Sequence, residues 1–293
     1  MSPIAVQSIV ALWLFATGGA IGSFLNVVVY RLPRGMSLIQ PGSHCPACKH
    51  PIRWYDNLPI LGWLILRGRC RDCQASISFR YPFVEAIAAA LFLGLGMVEG
   101  FSGGANLPAR PLPVENGVVF PPWNMDQVTG IVAYHLLLLS TLLAAALIEC
   151  DGHRVPLRVA LPALAIGGLA PLAWPHLHPV PACLGLTGWV AGLADGAAGS
   201  AVAGLWGLAA EYLLHRQRGF GRPAVWACAG LFLGWQAAVV LAVVCTAASL
   251  VPVALQRVSP DGRRATSLTW LTLAALVWIL AWAPLVRHWP LLG

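Results

Sequence analysis

Long apolar blocks alternate with short polar segments along the whole chain, near residues 4–30, 82–98, 129–149, 155–174, 189–213, 224–255 and 267–286. A helix needs about 20 apolar residues, at 1.5 Å rise each, to cross ~30 Å of hydrocarbon, so the pattern predicts membrane spans. The block 224–255 is too long for one ordinary span, and Gly234-Trp235-Gln236 offers a tight turn inside it between two shorter helices. Charge decides between one span and two. With a turn there, segments 31–81, 150–158, 214–223 and 256–266 share one side of the membrane and hold 16 of the 18 Lys and Arg. The other side keeps Arg110 and Arg287, the asymmetry that separates cytoplasmic from external loops. The expectation is an all-α polytopic membrane protein of about eight transmembrane helices, with both termini external. Its two parts are 1–81, the first span with a cytoplasmic loop, and 82–293, a helical membrane domain.

Composition agrees: 58% of the 293 residues are hydrophobic and 10% charged, against about 25% charged in soluble domains. The net charge of +7 then reports loop orientation, and no nucleic-acid partner is expected. The first span follows Met1-Ser-Pro-Ile-Ala5, which lacks a basic leader region, so it is expected to stay in the mature protein. Gly192, Gly196, Gly199 and Gly204 read as small residues that let helices pack closely in lipid. Trp13, Trp123, Trp174, Trp282 and Trp289 fall near span ends and read as interfacial anchors.

The loop after the first span carries Cys45-Pro-Ala-Cys48 and Cys70-Arg-Asp-Cys73. Two C-x-x-C pairs at this interval supply four thiolates suited to a tetrahedral Zn²⁺. Two disulfides or free thiols are the alternatives; the reducing cytoplasm disfavours the disulfides. A closed four-thiolate site leaves no open coordination position, so the zinc is expected to be structural, folding a loop too small for a core. Lys49, Arg69 and Arg71 are placed to favour the thiolate forms, and His44 and His50 are read as flanking residues rather than ligands. Cys150, Cys183, Cys228 and Cys245 lack paired spacing and read as packing residues.

The string Gly18-Gly-Ala-Ile-Gly-Ser-Phe-Leu-Asn-Val-Val-Val-Tyr-Arg-Leu-Pro33 resembles the opening signature of bacterial type IV prepilin leader peptidases. Asp56-Asn-Leu-Pro-Ile-Leu-Gly-Trp63, Arg67-Gly-Arg-Cys-Arg-Asp-Cys73 and Ile77-Ser-Phe-Arg-Tyr-Pro-Phe-Val-Glu85 are similar to the motifs that follow it in that family. Leu193-Ala-Asp-Gly-Ala-Ala-Gly and Leu233-Gly-Trp-Gln236 are fainter likenesses. The resemblance implies cleavage of the basic leader from type IV pilin or type II secretion pseudopilin precursors at the cytoplasmic face of the inner membrane. It also implies methylation of the new N-terminus from S-adenosylmethionine.

Aspartic proteolysis needs two carboxylates that share one proton, one activating water and one polarising the scissile carbonyl. The family supplies one Asp at the end of a membrane helix and one in a Gly-x-Gly-Asp motif. In this chain the first position falls on Glu149, in register with Pro156 and Pro162. The second falls on Arg222, because Gly219-Phe-Gly-Arg222 keeps both glycines and replaces the acid with a cation. An ion pair between Glu149 and Arg222 is the expected arrangement, since intramembrane charges find partners. Asp151 and Asp195 are the fallback acids. Asp151 points roughly 200° away from Glu149 on a helix, and Asp195 is otherwise expected to hydrogen-bond a neighbouring helix.

Three functions stay open at this stage: a leader peptidase and N-methyltransferase with an altered dyad, a homologue that binds or methylates prepilin-like segments without cutting, and a membrane scaffold. The topology is directly testable. Reporter fusions after Arg257 should read cytoplasmic and those near Gly104 and His176 external; an external reading at Arg257 would restore a single span over 224–255.

Overall fold

The computed structural model describes residues 2–108, 114–115, 118–119, 123–178, 186, 188–215, 219–255 and 266–288. Apart from a two-residue antiparallel pairing of Val114–Glu115 with Val118–Val119, the regular structure described is helical. The helices are α1 (Pro3–Arg31), α2 (Leu61–Ile65), α3 (Arg80–Leu95), α4 (Met125–Cys150), α5 (Leu161–Ala173), α6 (Gly188–Ala210), α7 (Gly221–Leu255), α8 (Ser267–Leu280) and α9 (Trp282–His288). They fall into two compact units, Met1–Met97 and Val98–Gly293, so α3 belongs with α1.

Among the described residues, four stretches are long and apolar enough to cross a membrane: Ile4–Arg34, Arg80–Phe101, Met125–Cys150 and Gly221–Ala248. Helices α5 and α8 are apolar but shorter. With α6, and with α7 counted as two halves, the described residues form eight apolar helical segments.

In the first unit, α1 begins on a Ser2 cap, whose hydroxyl accepts the Ala5 N–H at 3.3 Å, and has Pro3 in its first turn. It packs on α3 through Gly18 and Gly22, which lie one turn apart on one face. A Cβ on Gly18 would stand 2.7 Å from the Ala88 carbonyl oxygen, and one on Gly22 2.7 Å from Glu85 Cα. Only hydrogen at both positions allows the two backbones this near each other, as small residues do wherever apolar packing alone cannot drive helices together in lipid. Asn26 Nδ2 donates to the Tyr81 carbonyl at 3.2 Å and extends the seam toward the loop.

In the second unit, α4 starts in a capping box in which Asn124 and Gln127 each bond the other's backbone. Helices α6 and α7 meet at Gly199 and Gly230, where a Cβ on either would collide with the other's carbonyl. Gly234 leaves helical geometry (φ 84°, ψ 174°) and divides α7 at the residue where the sequence placed a turn. A break inside an apolar helix frees backbone groups that must be satisfied by protein. Here Leu231 O accepts from His178 Nε2 at 2.9 Å, the Tyr134 hydroxyl lies between the Gly167 carbonyl at 3.0 Å and Leu231 O at 3.4 Å, and the Trp235 N–H donates to Asp195 of α6.

A second polar cluster lies deeper in this unit. Glu99 and His135 are fully buried, with the carboxylate oxygens 2.9 and 3.1 Å from His135 Nδ1, and Asn106 Nδ2 donates to Glu99 at 3.1 Å. Asn106 also donates to the Ile279 carbonyl at 2.9 Å and accepts the Ala283 N–H at 2.8 Å, tying the segment after α3 to α8 and α9.

Two of the tryptophans expected at the interface are core residues instead: Trp123 is 3% exposed and Trp282 1%, the latter beside His135 and Trp278. Position in the sequence near a span end does not set the direction of the ring. Trp13 and Trp174 are exposed as anchors would be, and Trp289 lies outside the described residues. Cys228 and Cys245 are buried, Cys150 is exposed with its Sγ 3.5 Å from Thr269 Oγ1, and Cys183 is outside the described residues.

The glycine seam gives a clear expectation. Gly22→Leu should lower the unfolding temperature of the detergent-solubilised protein by an amount equivalent to about 1–3 kcal/mol or more, because overpacking forces backbones apart. Ala20→Leu, on the exposed side of the same helix, should leave it nearly unchanged.

Candidate functional site and metal centre

The loop between α1 and α3 is built from two copies of one turn. In the first, Cys45 N–H donates to the His50 carbonyl at 3.0 Å and Lys49 N–H to the Cys45 carbonyl at 2.9 Å. In the second, Cys70 N–H donates to the Ala75 carbonyl at 2.8 Å and Gln74 N–H to the Cys70 carbonyl at 3.0 Å. Lys49 and Gln74 each take a positive φ, 62° and 59°, and a backbone bridge closes each turn, His44 with Pro51 and Arg69 with Ser76. The two turns face each other and bring the sulfurs of Cys45, Cys48, Cys70 and Cys73 within 4.8 Å of one another.

Sulfur spacing speaks against the disulfides that the sequence left open and is compatible with a metal. Cys45 and Cys73 Sγ are 3.8 Å apart and Cys48 and Cys70 Sγ 4.0 Å apart, whereas a disulfide holds its sulfurs at about 2.05 Å. A tetrahedron with Zn–S of about 2.3 Å has edges near 3.8 Å, so the four sulfurs fit that ion. The local fields act unequally on the two cysteines of the first turn. The N–H groups of Cys48 and Ala47 lower the Cys45 thiol to about 6, while burial and the three neighbouring thiols push Cys48 up to about 12 against the pull of the His50 N–H. His44 turns its Nδ1 to the Gly42 carbonyl at 2.9 Å and is no ligand.

Arg71, expected to support the thiolates, instead makes a two-point contact with Asp56 at 2.8 and 2.6 Å and holds that carboxyl below its usual range by hydrogen bonding and charge. Arg53 pairs with Asp72 at 3.2 Å. Both pairs stitch the linking segment to the second turn. Trp63 Nε1 donates to the Ile77 carbonyl at 3.0 Å, and Glu85 accepts the Ile60 N–H at 2.7 Å. The consecutive motifs of residues 18–85 are thus one folded object.

The second site lies where α4 ends and α7 and α8 begin. Glu149, in the last turn of α4, sits 2.6 Å from Arg222 in the first turn of α7. Its carboxylate also accepts the Leu268 N–H at 2.9 Å and the Ser267 hydroxyl at 3.2 Å, so it caps the N-terminus of α8. Arg222 reaches on to Glu211, 3.2 Å away in the π-type turn that follows α6. The side chains of Glu149, Glu211 and Arg222 are 5%, 11% and 20% exposed. Gly221 fits beneath because a Cβ there would strike the Val155 carbonyl.

Positions 149 and 222 are therefore joined, as a carboxylate and a guanidinium. Asp151, the C-cap of α4, is exposed. Asp195 is buried against Gly234 and lies 16 residues, roughly 24 Å of helix, before Glu211 on the same run, so it does not meet Glu149. Glu211 was not singled out from the sequence; its signal was an acid closing an apolar block. Ser267 and the Leu268 N–H had no sequence signal, because a helix start reached from 118 residues away is a tertiary fact.

Residues 16–98 match the family model of the bacterial peptidase A24 N-terminal domain. A prepilin leader peptidase/N-methyltransferase of Klebsiella pneumoniae is 34% identical over 234 residues, covering 77% of this chain and 86% of that protein. One of Neisseria gonorrhoeae is 30% identical over 287 residues, covering 88% and 87%. One of Myxococcus xanthus is 36% identical over 165 residues, where the match covers 56% of this chain and 41% of that protein. No solved structure matches.

Purified protein should contain about one equivalent of Zn²⁺ by elemental analysis, and a Cys45→Ser, Cys70→Ser double variant should lose it. Protein without metal that folds and unfolds as the loaded form does would refute the metal assignment.

Proposed function

Because the chain belongs to the prepilin leader peptidase/N-methyltransferase family, we propose that it engages prepilin or pseudopilin precursors in the bacterial inner membrane without cutting them. The zinc loop is cytoplasmic and the termini external in this reading, and the setting is type IV pilus or type II secretion assembly. The observation that carries it is the contact of Glu149 with Arg222.

A peptidase of this chemistry needs one carboxyl to hold a proton and the other to receive one from water. A guanidinium does neither, since it stays protonated and accepts no hydrogen bond. At 2.6 Å it also occupies the space beside Glu149 that an attacking water would need. Glu149 is further committed to the N-terminus of α8, with both oxygens engaged. The arrangement pairs opposite charges and ties α4, α7, α8 and the turn after α6 together, which is a structural role.

The four-thiol centre contributes shape. Its residues would hold Zn²⁺ as a closed site, fixing the loop that carries most of the family motifs. Methylation requires a donor site and a nucleophilic amine rather than an acid pair, so the loss of the dyad leaves that half of the family chemistry untouched. S-adenosylmethionine is the cofactor it would use.

Co-expression with a prepilin, read as leader removal on a gel, tests the proposal. The unmodified chain should cleave at least about 100-fold more slowly than an intact family member, because losing one member of a cooperating catalytic unit costs orders of magnitude. Glu149→Asp with Arg222→Asp should raise cleavage, and either change alone should not. Efficient cleavage by the unmodified chain, unaffected by Glu149→Ala, would refute the reading and make Asp151 and Asp195 the acids to test.

A further inference from the structure

Helix α2 presents one side to its own unit and another outward. Trp63 points inward, its ring edge-on to Phe79 at 5.6 Å and its Nε1 on the Ile77 carbonyl. Leu61, Leu64 and Ile65, related by three- and four-residue steps and therefore on one face, are 56%, 56% and 63% exposed. Phe79, against which Trp63 rests, belongs with a second exposed apolar pair at the start of α3: its ring lies 6.0 Å from that of Phe83, and the two are 63% and 52% exposed.

We infer that α2 is seated in the headgroup layer of the bilayer, with the phospholipid surface as its partner. Three observations favour lipid over another occupant. The loop is held at both ends by helices with span-length apolar sequences, α1 and α3, so it cannot leave the membrane surface. Phe79 contacts Trp63 of α2 on one side and Phe83, in the first turn of a spanning helix, on the other, which sets α2 beside the level where that helix enters the hydrocarbon. Arg67 and Arg69, both exposed, follow α2 directly and complement anionic headgroups. An apolar face with basic neighbours is the composition of an element lying in the interface.

The test uses the full chain, with a diazirine-bearing leucine analogue placed at Leu64, Phe83 or Ala47, the last exposed within the first cysteine turn. Each protein is reconstituted in vesicles of phosphatidylcholine and phosphatidylglycerol and irradiated, and adducts are located by mass spectrometry. Position 64 should give phospholipid adducts in yield comparable to position 83 and at least about five-fold above position 47. Lack of lipid adducts at 64, equal yields at 64 and 47, or crosslinks from 64 to another segment of the chain would each overturn the inference. The outcome is independent of whether the chain cleaves prepilins.

Discussion

A carboxylate at the end of an apolar helix must be given partners, and the way Glu149 is satisfied organises the second unit of this protein. Its two oxygens serve Arg222 at the start of α7 and the N-terminus of α8, and Arg222 then reaches the turn after α6. Four helices thus converge on three charged side chains. Removing one partner of a buried pair leaves the other uncompensated, which typically costs about 3–5 kcal/mol. In the non-cleaving function proposed for this chain, the residues that close the bundle are the ones that leave no place for an attacking water.

Elsewhere the fold relies on absence of side chain rather than on charge. In lipid, apolar area gives little preference for helix over hydrocarbon, and close approach through glycine supplies the contact instead. The seam of Gly18 and Gly22 against α3, and the crossing of Gly199 and Gly230, show it in each unit. Where α7 breaks at Gly234, His178 and Asp195 take up the freed backbone groups, so the break is a satisfied structure.

Much of this was legible in the sequence. Apolar block length gave the helices, a Gly-Trp-Gln step marked the break in α7, and paired C-x-x-C spacing gave the four-sulfur cluster. The pairing of Glu149 with Arg222 followed from the rule that membrane charges seek opposites. What could not be read was long-range partnership. Glu211 looked like the polar edge of a block until the fold brought it to Arg222. Arg71 looked like support for thiolates until Asp56 claimed it, and Trp123 and Trp282 looked like anchors until burial placed them in the core. In each case local position was correct, while the direction of the side chain was set by residues distant in the chain. The buried Glu99–His135–Asn106 cluster was hidden for the same reason.

The account stands most directly on the coupling between Glu149 and Arg222, which a double-mutant cycle on unfolding of the solubilised protein measures. Glu149→Gln, Arg222→Gln and the double variant would be compared with the unmodified chain. The ion pair predicts that each single change destabilises and that the double change costs less than their sum, by at least about 1 kcal/mol. Additive effects within about 0.5 kcal/mol would contradict it, showing that the two side chains do not depend on each other.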